Sequence, residues 1–449
     1  MPETTRAYLE VVREEIRWKR ARPVLIQELE RHLEDQKEAF LKEGKSPEEA
    51  ERLAIQDMGD PVIVGAELDA VHRPRPQWGL LGLTIALAAA GAVLRVIFHC
   101  EPVDPAILLG KALLSLFLGT GALLGVYFFD VSRLVRHTRA MYIGALALGV
   151  LTLPLTRVAV SYYTRYVVTL YPVAYTLWLY SFRGKGWRGL VLAILGGVPL
   201  ALVCAHAPSS MGLFLLLFSG LVQTLWAAGR NWFGVGRWKG LCAVLAVPAA
   251  ALACLISQGY LNSFLARVQI ALHPEQYKMD KGFMGYILRM FWMDTPPLRQ
   301  GEVSIGINSG MRLYSEGRQV RPIDLSHDFL PASLAVQWGW IPLLLLLAAL
   351  TVLLLWLLAK ALRQSYLPGR MVVLAVVIIL GLQTLFSAAL NVGFVLFTAS
   401  LPLVVGNLQT VMDMALIGLA LSVFRGDSIA REEPSASPWR RFRIRFELL

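Results

Sequence analysis

From Gln77 onward the chain is a succession of ten apolar runs, most of them near the roughly 20 residues that a helix needs to cross a hydrocarbon core. They cover about 78 to 98, 105 to 129, 140 to 156, 162 to 182, 189 to 206, 209 to 228, 239 to 258, 329 to 359, 371 to 398 and 400 to 424. Backbone in lipid must satisfy its own hydrogen bonds, and runs of this length do so as helices. The expectation is an all-α polytopic membrane protein with about ten transmembrane helices. The pattern is weakest in the third and fourth runs. Of 449 residues, 56% are apolar and 17% charged, and the mean hydropathy is +0.54. The formal charge of +11 would fit a polyanion partner in a soluble chain. Here the cations lie between apolar runs, so no nucleic acid is expected. Four cysteines in such a length exclude a disulfide scaffold.

Short loops carry the cations alternately. One set holds Arg133, Arg136 and Arg139, then Arg183, Lys185 and Arg188, then Arg230, Arg237 and Lys239, then Lys360, Arg363 and Arg370. By the positive-inside rule these are cytoplasmic loops. The connection near 157 to 165 is an exception, with Arg157 and Arg165 on the outer side. Both termini come out cytoplasmic.

Residues 1 to 76 differ in kind, with 13 Lys/Arg against 17 Asp/Glu. They read as a soluble helical module and linker. Leu25, Leu29, Leu33, Phe40 and Leu41 mark one amphipathic helix closed by Gly44. Ser46-Pro47-Glu48-Glu49 forms a capping box that opens the next. Gly59-Asp60-Pro61 breaks the chain before a third helix over about 62 to 71, and Arg73-Pro74-Arg75-Pro76 leads into the first span. The first long apolar stretch starts near Trp78, too late for a signal peptide. Residues 426 to 449 form a basic cytoplasmic tail, and 77 to 425 the membrane domain.

One outer connection, 259 to 328, holds 8 Lys/Arg and 7 Asp/Glu. Loops beyond about 15 residues are usually functional or disordered. Leu261 to Leu272 and Gly285 to Trp292 have the periodicity of short helices lying along a membrane surface. Recognition or chemistry is expected there.

The sequence contains no Walker-type loop, GxSxG elbow, HExxH or Cys/His cluster with metal spacing. Cys100, Cys204, Cys242 and Cys254 read as small packing residues. Ionisable groups at membrane depth are few and costly. Arg95 and Lys111 are expected to snorkel from the ends of adjacent spans. Asp413, the carboxylate inside the last span, either caps a polar cavity or pairs with a cation. The densest constellation is Ser326-His327-Asp328-Phe329-Leu330-Pro331, where the outer loop re-enters the membrane. A carboxylate there can serve as a general base toward a polar substrate. Equally, Asp328 can cap the eighth span through the helix dipole.

Several segments, in order, resemble the SEDS family (shape, elongation, division, sporulation), the FtsW/RodA/SpoVE group. His206-Ala207-Pro208-Ser209-Ser210-Met211-Gly212 resembles the family's QPDLGTA turn. Arg267 to Tyr286 (RVQIALHPEQYKMDKGFMGY) is similar to RLxxFLxPExDPxGxGYQ at the start of the large extracellular loop. Ser326 to Pro342 (SHDFLPASLAVQWGWIP) resembles HTDFIFAVLAEELGLIG. Asn391-Val392-Gly393 matches NIG or NVG, and Asp413 to Val423 (DMALIGLALSV) resembles NMIALGLLLSV. The resemblance covers most of residues 77 to 425. It implies a glycosyltransferase of the bacterial cell membrane that polymerises lipid II in cell shape, division or sporulation, partnered by a class B penicillin-binding protein. An acceptor sugar hydroxyl attacks the donor's anomeric carbon, and undecaprenyl pyrophosphate leaves. Asp328 takes the position of the family's essential aspartate, the catalytic base in this reading. Arg312, Arg318 and Arg321 are candidates to meet the pyrophosphate on electrostatic grounds. His327, Asn391 and Asp413 complete the candidate substrate-binding set. No organic cofactor is implied, and assistance by a divalent cation is left open.

The departures bear on the function. The family's acidic pair is replaced by Val336 and Gln337, the Gln of GYQ by Ile287, and the SYGGSS signature by Val404-Val405-Gly406-Asn407-Leu408-Gln409. The QPSE signature has only Tyr163-Thr164-Arg165-Tyr166 to set against it. An alternative is therefore an inactive SEDS-like scaffold, or a transporter of lipid-linked precursors, that recruits cell-wall synthesis partners. The amino-terminal module resembles the helical prefix domain found before bacterial permeases and membrane sensors, which implies regulation or protein contacts.

Overall fold

The structure, a computed structural model, describes residues 4–19, 21–72, 76–98, 104–129, 137–158, 163–207, 210–257, 260–293, 297–298, 327–364 and 366–426. Among these residues every regular element is a helix, and they divide into two compact units, residues 1–77 together with the end of the last helix at 424–426, and residues 78–423.

The first unit has four helices: α1 (Thr5–Glu15), α2 (Arg22–Lys42), α3 (Pro47–Met58) and α4 (Pro61–His72). α1 is a fourth helix beyond the three that the periodicity predicts. Its Tyr8, Leu9 and Val12 join Ile16, Leu25, Leu29, Leu33 and Ile55 in the core. Ser46 caps α3 by accepting the Glu49 N–H at 3.2 Å, and Gly44 adopts the left-handed φ of 87° that ends α2. Two carboxylates staple helices across the unit. Asp69 accepts the Arg17 N–H at 2.9 Å. Glu51 accepts the Thr5 N–H (2.9 Å), the Thr5 hydroxyl (2.8 Å) and Lys37 Nζ (2.8 Å). Those three donors, Lys37 foremost, hold the Glu51 carboxyl at about 2.

The second unit runs through α5 (Trp78–Ile97), α6 (Pro105–Phe128), α7 (Thr138–Val158), the short α8 (Thr164–Val167), α9 (Tyr171–Tyr180), α10 (Gly186–Leu195), α11 (Gly197–His206), α12 (Ser210–Gly229), α13 (Arg237–Ser257), α14 (Tyr260–Leu272), α15 (Phe283–Met293), α16 (Leu330–Trp338), α17 (Trp340–Arg363), α18 (Leu367–Asn391) and α19 (Asn407–Gly426). Seven segments among the described residues are long and apolar enough to cross a membrane: α5, α6, α10 with α11, α12, α17, α18 and α19. Phe117, Leu151 and Leu345 are among the large apolar side chains left exposed on this unit, as lipid-facing groups are.

The weak fourth run lies at the centre. α9 packs on α7, α12 and α18, and Tyr171 to Leu177 are all buried. Its polar groups find partners inside: the Tyr175 and Thr224 hydroxyls lie 2.9 Å apart, and Thr176 donates to Gln223 Oε1 at 2.7 Å. Hydropathy is low there because the helix faces protein rather than lipid. Three boundaries also move. The expected eighth span breaks at Gly339, whose φ of 94° divides the buried α16 from the lipid-facing α17. The ninth ends at Asn391 and the tenth starts at Asn407, leaving 392–406 as irregular backbone.

Candidate functional site

Asp328 sits in a single 3₁₀ turn, His327–Phe329, that leads into α16. The Asn391 side chain, at the end of α18, holds that turn. Its Nδ2 donates to the Asp328 carbonyl at 3.0 Å and to the Ser387 carbonyl at 2.8 Å, while its Oδ1 accepts the Ala332 N–H at 2.9 Å. The Asn391 carbonyl accepts Trp292 Nε1 at 2.7 Å. Both amide hydrogens are thus committed to the protein, in a residue only 1% exposed. This geometry suits positioning of Asp328 better than contact with a substrate.

The Asp328 carboxylate meets two groups from distant parts of the sequence. Ser400 Oγ donates to Oδ1 at 2.5 Å. Arg165 Nη2 lies 3.7 Å from Oδ2, with the two side chains 35% and 20% exposed, and donates to Ser400 Oγ at 3.4 Å. A carboxylate, a hydroxyl and a guanidinium converge on a partly open site. The carboxylate can accept a proton there, and the guanidinium can balance a developing negative charge. Neither partner was among the residues expected from sequence. Arg165 did leave a signal, as an exception to the alternation of cations among the short loops. Ser400 left none.

Ser400 rides on the irregular segment 392–406. Backbone of this kind is tolerated at membrane depth only inside protein or along a cavity, and Leu401, Leu403 and Val404 are fully buried. Two charged residues satisfy its orphan groups. Arg95 Nη1 donates to the Val404 carbonyl (3.2 Å), the Gly406 carbonyl (3.1 Å) and the Thr410 hydroxyl (2.8 Å), while Nη2 reaches Ser115 Oγ at 3.2 Å. Arg95 therefore does not snorkel; it turns inward because the segment's carbonyls have no helical partners. Asp413, 0% exposed, accepts the Leu403 N–H at 3.0 Å and the Gln409 amide at 2.8 Å. It secures Leu403 at the unfavourable φ of 64°. At the other end Gly393 (φ 89°) lies against α15: a Cβ on it would sit 2.7 Å from the Gly285 carbonyl oxygen and from Arg289 Cγ.

Two residues at which the sequence differs from the motifs it resembles prove to be neighbours. Ile287 and Val336 pack together with Leu288 and Ala332 in one buried apolar cluster. Val404 and Val405, in place of the glycine-serine signature, are likewise buried.

Of the other expected site residues, Arg312, Arg318 and Arg321 lie outside the described residues, as does the His327 side chain. Lys111 is exposed, Cys204 buried and Cys242 exposed. Among the described residues no three His, Cys, Asp or Glu side chains converge as a metal site would require.

The geometry defines a polytopic helical protein with a carboxylate site where an irregular segment meets the Asp328 turn. Its fold is that of RodA. The chain superposes on the rod-shape-determining protein RodA of Thermus thermophilus with a TM-score of 0.50 at 18% identity, covering 78% of this chain and 97% of that one. It matches a chain of a solved peptidoglycan synthase complex, described as coordinating polymerization and crosslinking, with a TM-score of 0.57 at 22% identity over 78% of this chain and 98% of that one. No protein-family model and no curated protein matches the sequence.

Proposed function

We propose that this chain is a divergent SEDS-family glycosyltransferase that polymerises lipid II in the bacterial cell membrane, with Asp328 as general base. On this reading Asp328 takes the proton of an acceptor sugar hydroxyl as its oxygen bonds to the donor's anomeric carbon. The bond from that carbon to the pyrophosphate breaks, and undecaprenyl pyrophosphate leaves. Arg165 orients the carboxylate with Ser400 and offsets charge building beside it. Arg312, Arg318, Arg321 and His327, in or next to the outer loop, would meet the pyrophosphate. Ten crossings, cytoplasmic termini, an outer loop over 259 to 328 and a cytoplasmic prefix module complete the proposal. A class B penicillin-binding protein is the proposed partner, in line with the crosslinking complex that shares the fold.

The observation that carries this reading is the convergence of Arg165 and Ser400 on Asp328 in a RodA-like fold. Purified protein incubated with lipid II should yield glycan strands resolvable by gel electrophoresis. Asp328→Asn, retained in the membrane at normal levels, should lower the rate by about 10² or more; an unchanged rate removes Asp328 as the base. The packing of Ile287 and Val336 in one apolar cluster, where the resembled motifs have polar residues, favours a second reading, a scaffold that binds its transpeptidase without catalysis. Absence of polymer together with retained capture of a class B penicillin-binding protein would select it.

A further inference from the structure

Residues 131 to 274 contain no Asp or Glu at all, yet carry most of the cations of the short loops. At one end of the bundle these cations are arranged on aromatic rings. Arg139 lies 5.9 Å and Lys185 4.9 Å from the centroid of one ring, that of Phe182. Arg183 sits 5.5 Å from the Trp232 ring, and Arg230 4.9 Å from the Trp226 ring. The platform beneath them is stiff. The turn at 181–186 is stitched to the turn at 229–236 by the Gly184 N–H on the Trp232 carbonyl (2.9 Å) and the Gly186 N–H on the Phe233 carbonyl (2.8 Å). The Trp226 and Trp232 rings pack edge to face at 5.5 Å.

Membrane orientation accounts for the sign of these charges, not for this arrangement. Two like charges share one ring, and neither Arg139 nor Lys185 has a carboxylate partner among the described residues. Partial burial, and after it the Arg139 charge, depresses the Lys185 ammonium from its ordinary value. Lys185 Nζ donates to the Ser181 carbonyl at 2.6 Å, which leaves its charge uncompensated, and an anion shared with Arg139 would relieve both cations. Trp187 and Trp238, 50% and 74% exposed, lie at the starts of the helices that follow these two turns, and Arg237 sits 5.6 Å from the Trp238 ring. Exposed tryptophans next to Lys and Arg mark the headgroup level of a bilayer.

We infer that Arg139 and Lys185, held on Phe182, form a binding site for the phosphate of an anionic phospholipid in the leaflet that borders the 181–186 and 229–236 turns. Arg230 and Arg183 flank it, and the exposed tryptophans set its depth. The site is independent of the Asp328 chemistry.

The test uses the full chain in a neutral detergent, titrated with phosphatidylglycerol, with phosphatidylcholine and with inorganic phosphate, and read as the shift in melting temperature. Phosphatidylglycerol should stabilise the protein saturably while phosphatidylcholine does not. The double variant Arg139→Gln with Lys185→Gln should bind phosphatidylglycerol roughly 30-fold more weakly. Lys111→Gln with Lys281→Gln, the same change of charge elsewhere, should leave the titration unaltered. Arg139→Lys with Lys185→Arg should restore most of the response. Equal losses in both double variants would overturn the site in favour of bulk charge. An equal shift from inorganic phosphate would overturn the lipid assignment. Should the first double variant fail to fold, native mass spectrometry of the unaltered chain decides, and equal retention of the two lipids overturns the proposal.

Discussion

Asp328 keeps part of its carboxylate open and bonds two side chains, Ser400 and Arg165. Asp413 is sealed, and both of its oxygens are occupied by the Leu403 N–H and the Gln409 amide. The two residues serve the same irregular segment, one near the hydroxyl it displays and one at its root. A carboxylate whose partners are backbone and amide is a strut. One whose partners are a hydroxyl and a guanidinium at a partly open surface has the inventory for proton transfer. Chemical type and membrane depth do not separate the two; partner identity does.

That contrast can be broken most directly at Asp413. Asp413→Ala leaves the buried Leu403 N–H unsatisfied and should cost about 2 to 3 kcal/mol, seen as a lower melting temperature in detergent and a low yield. Asp413→Asn keeps an acceptor for that N–H and should recover most of the stability. Loss of polymerisation in Asp413→Asn at an unchanged melting temperature would place Asp413 in the chemistry and end the distinction. Next in size is Arg165→Gln, expected to lower the polymerisation rate roughly tenfold with little change in stability; a fall in stability instead would make Arg165 a strut as well.

The smallest effect lies in the amino-terminal unit, where Glu51 is a strut that titrates. Its carboxyl is held at about 2, chiefly by Lys37 and then by Thr5. A depressed carboxyl contributes stability above its unfolded value near 4.3, and that contribution fades as pH falls toward 2. Because the pair is partly solvated, the contribution is about 1 kcal/mol. Amide protection over Thr5–Val12 in the full chain should therefore decline between about pH 4.5 and 2, and Glu51→Gln should flatten that decline. A decline of the same size in the variant would assign it to other carboxylates.

Much of the fold was legible in the residues. Apolar runs of membrane length dictate helices because lipid offers the backbone no partner, and the Ser46 cap and Gly44 stop were readable because such signals are local. The Asp328 turn stood out for the same reason: loop polarity and span meet within a few residues. Local pattern could not reveal which polar groups converge. Arg165, Asp328 and Ser400 come from three separate regions of the chain, and α9 looked marginal because hydropathy records lipid contact and not burial against protein. Arg95 reads as a snorkelling cation in the sequence, because its choice between water and an interior depends on unpaired carbonyls some 300 residues further on. The sequence by itself determined that this chain forms membrane helices with a polar re-entry at Asp328. Only the tertiary structure decided which charges are struts and which converge on the Asp328 site, since that depends on which orphan backbone groups each side chain meets once the helices have packed.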